Sequence, residues 1–427
     1  MKTYNYSDLS SSEINTLVQR NVDPANEVRD IVEEILAKVK LHGDTALYDY
    51  ALRFEHVALS KLYLTKSELT ELASGISAEQ KAALDTAYKN IYAFHQTQLK
   101  TEDKVETMPG VTCWRELRPI EKVGLYIPGG TAVLPSTFLM LGIPARIAGC
   151  HEIVVCTPPS KDGKVNPFIA YVALLLNVDK VYLSGGAQAI GAMAYGTETI
   201  PKTDKIFGPG NQFVTKAKTI IQSTTTTAID MPAGPSEVLV IADETANPVF
   251  IAADLLAQAE HGVDSQAVLI TTSANIAQQT VKELTQQLLV LPRADIAAKA
   301  IENSYIVITN DLDEAMQFSN QYAPEHLILA TENWHQIAPK IINAGSVFLG
   351  NLTPESVGDY ASGTNHTLPT SSYAKAYSGV SVDSFVKKIT FQHIAPDGIR
   401  NIGPTVEILA ELEGLQAHKN AVTVRMK

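Results

Sequence analysis

The chain has 427 residues, of which 45% are hydrophobic and 19% charged, a composition typical of a globular protein with more than one core. Its formal net charge is −12 and no Lys/Arg run stands out, so a nucleic-acid partner is not expected. The amino terminus is polar, the apolar run from Phe168 to Val178 is too short to span a membrane, and three cysteines make no disulfide framework. We therefore predict a cytoplasmic protein without membrane contact.

Two helices are predicted ahead of any sheet. Apolar residues recur at three and four positions over residues 26–42, and Gly43 follows as a stop. A second helical pattern covers residues 78–98. From about residue 120, short β-branched runs alternate with Gly/Pro turns and helical periods, which implies parallel sheets with right-handed crossovers.

The alternation forms two series of strands and helices. Strands of the first series are predicted at residues 122–127, 152–156, 180–183 and 204–207, with helices at 136–148, 166–176 and after the glycine pairs 185–186 and 208/210. Strands of the second series are predicted at 237–242, 266–271, 304–308, 326–330 and 345–350, with helices at 248–260, 274–290, 295–302, 312–319 and 335–343. Residues 353–370 are predicted as a loop, and a last helix at 404–416.

Four of the ten histidines lie in short polar segments. Gln258 and His261 are three positions apart near the end of a predicted helix, so their side chains share a face. Asp359 and His366 lie in the predicted loop, and His418 follows the last helix. Each segment alone is more often an ordinary polar turn, loop network or surface residue. Together, however, a Gln, an Asp and two His provide an N₂O₂ ligand set suited to zinc.

Glu325 and His326 follow Tyr-Ala-Pro where a predicted strand begins. A carboxylate and an imidazole at a strand end facing a cleft can share proton transfers near neutral pH. The alternative is a structural glutamate beside a partly buried histidine. We favour the acid–base interpretation because of the neighbouring ligand set.

The motifs indicate a dinucleotide site less strongly. The segment Gly208-Pro-Gly210-Asn-Gln-Phe213 approaches the Gly-x-Gly-x-x-Gly pattern, but Phe213 replaces the third glycine. The turns at Gly129-Gly130 and Gly185-Gly186 also depart from it. Tight turns use glycine without any ligand, so spacing alone does not establish NAD binding.

The motifs, taken together and in order, resemble the histidinol dehydrogenase family. The matching segments, from about residue 120 to the C-terminus, are 123–130, 184–188, 205–211, 230–237, 258–261, 324–327, 358–366 and 417–420. The resemblance implies oxidation of L-histidinol to L-histidine through L-histidinaldehyde, the last steps of histidine biosynthesis, with NAD as cosubstrate.

The resemblance also assigns residues. It implies a zinc ion in each subunit, which positions the substrate and is held by Gln258, His261, Asp359 and His418. Glu325 and His326 are the implied catalytic acid–base pair, and the implied NAD contacts are Tyr126, Gln188 and Asn211. The implied substrate contacts are Ser236, Gln258, His261, His326, Asp359, His366, Glu413 and His418.

The predicted fold class is α/β, with two doubly wound, incomplete Rossmann-like domains of the aldehyde-dehydrogenase type and helical terminal segments. We predict a helical segment at 1–25, a discontinuous first α/β domain at 26–118 and 237–372 that carries most of the metal site, and a NAD-binding second domain at 119–236. Residues 373–427 would form a dimerisation arm, exchanged within a homodimer so that Glu413 and His418 reach the neighbour's site.

Two rival functions stay open at this point. A cysteine-dependent aldehyde dehydrogenase would use Cys113 or Cys150 as nucleophile, although these and Cys156 fit core packing better. The second rival is a regulatory module that binds NAD or a metal ion without catalysing a reaction. The first leaves the zinc ligand set without a role, and the second leaves Glu325 and His326 without one.

Overall fold

The computed structural model describes residues 1–20, 26–129, 133–232 and 234–427. Its strands are β1 (Lys2–Asn5), β2 (Tyr63–Thr65), β3 (Val105–Met108), β4 (Val111–Pro119), β5 (Lys122–Tyr126), β6 (Glu152–Thr157), β7 (Lys180–Leu183), β8 (Lys205–Phe207), β9 (Ala228–Ile229), β10 (Glu237–Ala242), β11 (Gln266–Thr271), β12 (Tyr305–Ile308), β13 (His326–Ala330), β14 (Ser346–Leu349) and β15 (Val386–Ile394). Its helices are α1 (Ser11–Val18), α2 (Asn26–Tyr50), α3 (Lys66–Ala73), α4 (Ala78–His95), α5 (Pro135–Ala148), α6 (Pro167–Leu175), α7 (Gly186–Tyr195), α8 (Gln212–Thr224), α9 (Pro248–Ala259), α10 (Ala274–Leu288), α11 (Ala294–Glu302), α12 (Leu312–Tyr322), α13 (Trp334–Ile337), α14 (Glu355–Tyr360), α15 (Pro396–Leu412) and α16 (Gln416–Thr423).

The first sheet has the strand order β1-β12-β11-β10-β13-β14, and its strands are parallel. Every residue of the central strand β10 is buried, as expected when helices cover both faces of a parallel sheet. The strand order reverses between β10 and β13, where the chain returns to the middle of the sheet.

The second sheet has the order β2-β7-β6-β5-β8-β9. Its strands β5 to β9 run parallel, and β2 is an antiparallel edge strand on β7. Here the order reverses between β5 and β8. The two parallel sheets confirm the predicted α/β class with doubly wound domains.

The helices that precede the second sheet pack against it. Helix α2 contacts α7 and α8, α3 contacts α6, and α4 contacts α5. These elements therefore belong with residues 119–236, not with residues 237–372 as the sequence predicted. The amphipathic pattern of a helix shows that one face is buried but not which sheet buries it. Strand β1 similarly joins the first sheet, although residues 1–25 were predicted to be helical.

The third sheet, of order β15-β4-β3, is antiparallel and was not predicted. Strand β15 pairs with β4 along its whole length, and Trp114 stacks on Phe391 across the pair. Most of β15 is exposed, so its sequence lacks the apolar run that marks a buried strand. Through this sheet, residues 373–427 are attached to residues 105–119.

Other boundaries also differ from prediction. Helix α2 continues past residue 42 to Tyr50 and bends at Gly43, whose φ is +49°. The predicted loop 353–370 contains α14, α13 is shorter than the predicted helix 335–343, and α15 begins well before residue 404. Across the described ranges, no helix is both long and apolar enough to cross a membrane.

Candidate active site

The candidate acid–base residues lie at the amino ends of strands in the first sheet. Glu325 immediately precedes β13, whose first residue is His326, and Ser236 immediately precedes the neighbouring β10. Helix α9 returns from the opposite edge of the sheet, so its last turn brings Gln258 to the same edge. Helix α14, which carries Asp359, packs against α9.

This edge faces the second sheet through the loop that follows α14. The Asn365 side-chain amide donates a hydrogen bond to the Met140 carbonyl at 2.6 Å, and the Thr137 hydroxyl pairs with Nε2 of His366 at 2.9 Å. Both partners lie on α5, the helix that leaves the carboxyl end of β5. The amino edge of one sheet therefore approaches the carboxyl edge of the other.

His326 is the centre of a buried charged cluster. Its Nε2 lies 3.3 Å from Oδ1 of Asp359, and its Nδ1 lies 3.8 Å from Oε1 of Glu355 and 3.7 Å from Oε2 of Glu325. The Nδ1–H donates to the carbonyl oxygen of Glu237 at 3.3 Å. Because a carbonyl can only accept, this bond directs the Nε2 lone pair of the neutral ring toward the site.

Burial and charge oppose each other in this cluster. Burial disfavours the charged form of His326, but Glu355, Glu325 and Asp359 outweigh it and raise the imidazole pKa well above its usual value. Burial raises the pKa of Glu355 to about 8, whereas His326 holds the pKa of Asp359 below its usual value despite burial. The pKa of His326 and those of the carboxylates around it therefore depend on one another.

Glu325 is held from two directions. Its Oε2 accepts a hydrogen bond from the Glu237 backbone N–H at 2.9 Å, and its own N–H donates to Glu237 Oε1 at 3.3 Å. Burial raises the Glu325 pKa to about 8, so the carboxyl group can take up and release a proton near neutral pH. Only 5% of the residue is exposed.

Gln258 tests whether the predicted ligand set fits a metal ion. Among the described residues, neither its Nε2 nor its Oε1 has a hydrogen-bond partner, although both atoms are buried. An unpaired buried amide costs about 1–3 kcal/mol, and a ligand bound to its oxygen would remove much of that cost. Asp359 lies on α14, the helix that packs against α9, and its pKa is held below its usual value, so Gln258 and Asp359 provide oxygen ligands that fit a divalent cation.

The predicted histidine ligands differ in their surroundings. His261 follows α9 and its backbone N–H donates to the Gln258 carbonyl at 3.2 Å. Its residue surface is exposed, but the surrounding protein still lowers the imidazole pKa, which favours the neutral, metal-binding form. His366 uses both ring nitrogens within the protein, since its Nδ1–H donates to the Asp359 carbonyl at 2.8 Å. Burial lowers the His366 pKa as well.

Glu355 is a site residue that the sequence analysis missed. In the described part of the chain, His326, Glu355 and Asp359 have potential ligand atoms within 4.8 Å of one another, and this group shares only Asp359 with the predicted ligands. The His326 Nδ1 already bonds the Glu237 carbonyl, so ion pairing accounts for the group better than a shared metal. The spacing of Glu355 and Asp359, four residues apart, was the available signal, but the segment was predicted as a loop.

Glu413 and His418 are not brought into this cluster within the single chain. Glu413 follows α15 and His418 lies on α16, and both residues are exposed. Within the chain, helix α15 contacts β3 and β15. Ser236, by contrast, lies beside Glu237 at the site edge and is half-buried.

The predicted NAD contacts lie at the carboxyl edge of the second sheet. Tyr126 ends β5, Gln188 lies in the first turn of α7, and Asn211 caps the start of α8 by accepting two backbone N–H bonds. The Tyr126 hydroxyl accepts from the Gly186 N–H at 3.2 Å. A Cβ at Gly208, whose φ is +129°, would overlap the Tyr126 carbonyl oxygen. The loop between β8 and α8, which contains Gly208, therefore lies next to the end of β5. The strand order reverses between β5 and β8, and open α/β sheets bind ligands at such a point.

The cysteines do not support the thiol alternative. Cys150 and Cys156 are buried, and burial raises the pKa of the Cys150 thiol to about 11 and that of Cys156 further. Such thiols are poor nucleophiles at neutral pH. Cys113 is half-buried on β4, opposite Gln392 of the antiparallel sheet.

A buried cluster of Glu, His and Asp side chains at the amino edge of one parallel sheet lies toward the carboxyl edge of the other, an arrangement typical of an α/β enzyme. A model of the histidinol dehydrogenase family matches residues 18–426. Histidinol dehydrogenase of Bacteroides thetaiotaomicron is 58% identical over 410 residues, covering 96% of both chains, and that of Bacteroides fragilis is 55% identical over 427 residues, covering 100% of this chain and 99% of the relative. The crystal structure of histidinol dehydrogenase from Elizabethkingia anophelis has a TM-score of 0.96 and 54% identity, covering 100% of this chain and 98% of that one.

The chain therefore belongs to the histidinol dehydrogenase family. This result favours the predicted dehydrogenase over the cysteine-dependent alternative.

Proposed function

We propose that this protein oxidises L-histidinol to L-histidine through L-histidinaldehyde, with NAD as cosubstrate in both oxidations. The observation that carries the proposal is the buried contact of His326 with Asp359, next to Glu325 and the unpaired Gln258 amide, in a full-length member of this family. A regulatory module would have no use for a proton-transfer pair kept out of water.

In the first oxidation, His326 acts as the base. Its Nε2 takes the hydroxyl proton of histidinol while the alcohol carbon loses a hydride to NAD, which produces the aldehyde. The Nδ1–H bond to the Glu237 carbonyl keeps the required tautomer and ring orientation.

In the second oxidation, Glu325 activates water. The Glu325 carboxylate takes a proton from a water molecule whose oxygen attacks the aldehyde carbon. The protonated His326 returns its proton to the aldehyde oxygen, which gives the hydrate and restores the neutral imidazole. The hydrate carbon then loses a hydride to NAD, and His326 takes the remaining hydroxyl proton as the carboxylic acid forms. Enclosure of the site keeps the reactive aldehyde bound between the steps.

Gln258, His261, Asp359 and the His418 of a second subunit would hold the metal ion. A bound zinc ion would orient the amino and imidazole nitrogens of histidinol. It would also neutralise much of the negative charge of Asp359, so that Asp359 would stabilise a protonated His326 less.

The cytoplasmic location of the protein stays a prediction.

The stoichiometry of the reaction tests this function. Purified protein supplied with histidinol and excess NAD should form a pair of NADH molecules for each histidine, because the oxidation removes four electrons. Replacing Cys113, Cys150 and Cys156 together with alanine should preserve that stoichiometry. A single NADH per histidinol, with aldehyde as the end product, would contradict the proposal, and loss of aldehyde oxidation in the folded cysteine variant would favour the thiol mechanism.

The arm supports a homodimer with exchanged C-terminal segments. Ile408, Leu409 and Leu412 are 60%, 54% and 79% exposed on α15, although they form the apolar side of an amphipathic helix. Leu415 is also exposed. A second copy of the chain would bury this face, and exchange of identical arms in a two-fold dimer would place His418 beside the neighbour's Asp359.

Subunit mixing tests this arrangement. His418→Ala and His261→Ala subunits are each expected to be inactive alone. After exchange, both lesions fall into one site of the heterodimer and the other site is intact, so about a quarter of wild-type activity should return. As a control, His261→Ala mixed with Asp359→Ala should recover nothing, because each site then carries one lesion. No recovery in the first mixture, with exchange demonstrated, would show that the arm serves its own subunit.

A further inference from the structure

Arg20 lies outside every predicted site but contacts the segment that leads into it. Its side chain is 11% exposed. One guanidinium nitrogen, Nη1, donates to Glu237 Oε2 at 2.7 Å and to the Pro235 carbonyl at 3.1 Å, and Nη2 donates to the Asp264 carbonyl at 2.7 Å. The rigid fork of arginine can make these bonds simultaneously, whereas a lysine ammonium cannot copy the geometry.

Glu237 is the fully buried carboxylate that Arg20 neutralises. Its Oε1 accepts hydrogen bonds from the backbone N–H groups of Ser371 at 2.9 Å and Glu325 at 3.3 Å, and the Tyr322 hydroxyl lies 3.4 Å from Oε2. A buried carboxylate is retained in one orientation only when a counter-charge and donors surround it. Arg20 supplies that charge from a position far away in the sequence.

The orientation of Glu237 determines that of Glu325. Each of the two glutamates accepts a hydrogen bond from the backbone N–H of the other, so a rotation of the Glu237 carboxylate would release the Glu325 main chain. Arg20 also donates to the carbonyl of Pro235, which fixes the turn that leads to Glu237, whose backbone N–H donates to the Glu325 carboxylate. Glu325 is thereby coupled to Arg20 through a single intermediate residue.

We propose that Arg20 is a positioning residue for Glu325, acting through Glu237 to align the carboxylate with the attacking water during aldehyde oxidation. The inference rests on the proposed role of Glu325. A displacement of a catalytic group by about 1 Å slows its step by on the order of 10-fold to 100-fold. The effect should therefore fall on the step that needs water.

The test compares Arg20→Gln in wild-type and Glu325→Gln backgrounds, with histidinol and histidinaldehyde as separate substrates. Arg20→Gln should slow aldehyde oxidation about 10-fold to 100-fold while changing histidinol oxidation little, and Arg20→Lys should recover part of the loss. In the Glu325→Gln background the Arg20 substitution should add no further loss. Arg146→Gln is the matched control, because Arg146 also donates to two main-chain carbonyls, those of Leu176 and Asn177.

The outcomes separate the two proposals. If Glu325→Gln slows the aldehyde step but Arg20→Gln slows both steps equally, or adds its full loss in the Glu325→Gln background, Arg20 has no positioning role. If Glu325→Gln leaves the aldehyde step unchanged, the role of Glu325 and that of Arg20 fail together. Should Arg20→Gln not fold, the double variant Arg20→Gln/Glu237→Gln leaves no buried charge unpaired and must show the same selective loss.

Discussion

Glu325→Gln is expected to slow oxidation of histidinaldehyde by on the order of 100-fold to 10,000-fold and to affect oxidation of histidinol much less. The amide keeps the shape of the carboxyl group and can still accept from the Glu237 N–H, but it cannot take a proton from water. His326→Ala should slow both oxidations, because each one leaves a hydroxyl proton to be removed. Single-turnover formation of NADH from each substrate measures the two steps separately.

The same experiment has a pH signature. Burial raises the Glu325 pKa to about 8, and only the ionised form can act as base. The wild-type aldehyde step should therefore accelerate as the pH rises through about 8, and Glu325→Gln should lose that rise. Glu332→Gln, an exposed change in the same domain, is the control and should match wild type. Equal losses in both oxidations for Glu325→Gln would contradict the division of roles.

Metal removal is expected to abolish turnover, and zinc is expected to restore it. The imidazole ligands must be neutral to bind, so zinc affinity should fall as the pH is lowered. Activity and zinc content, measured on the same samples during dialysis against a chelator, should decline together. Complete oxidation of histidinol by protein verified to be metal-free would contradict the proposed metal site.

Gln258→Leu provides a readout that does not depend on activity. The substitution replaces a buried amide that has no partner among the described residues with an apolar group of similar size. We expect zinc binding to be lost and the metal-free protein to gain about 1–2 kcal/mol of stability. Gln266→Leu is the matched control. The Gln266 side-chain oxygen accepts a hydrogen bond from the Tyr322 hydroxyl and its amide nitrogen donates one to the Asn303 carbonyl, so the loss of this side chain should destabilise the fold. A Gln258→Leu protein that still binds zinc would exclude Gln258 as a ligand.

The local patterns of the sequence determined much of the fold. Apolar runs bounded by glycine turns predicted β5 to β8 and β10 to β14, because a strand covered on both faces must be apolar along its length. The edge strands β1, β2 and β9 of the same sheets were not predicted. The antiparallel strand β15 escaped prediction for the converse reason, since an exposed strand needs no such run. Helix α14 escaped because its six residues are too few for a periodic pattern.

The chemistry of the site was readable from residue types, but its geometry was not. Glu325, His326, Gln258 and Asp359 were singled out from short polar motifs and the resemblance to a family, and the structure brings them to one edge of the first sheet. The sequence placed Gly208 in a turn after a strand, but the close approach of this turn to Tyr126, which leaves no room for a side chain, is visible only in the structure. Only the tertiary structure decided that Glu355 faces His326, that α2–α4 cover the second sheet, and that Arg20 reaches Glu237. These contacts join residues far apart in the chain, and periodicity along a sequence carries no information about which distant surface a side chain will meet.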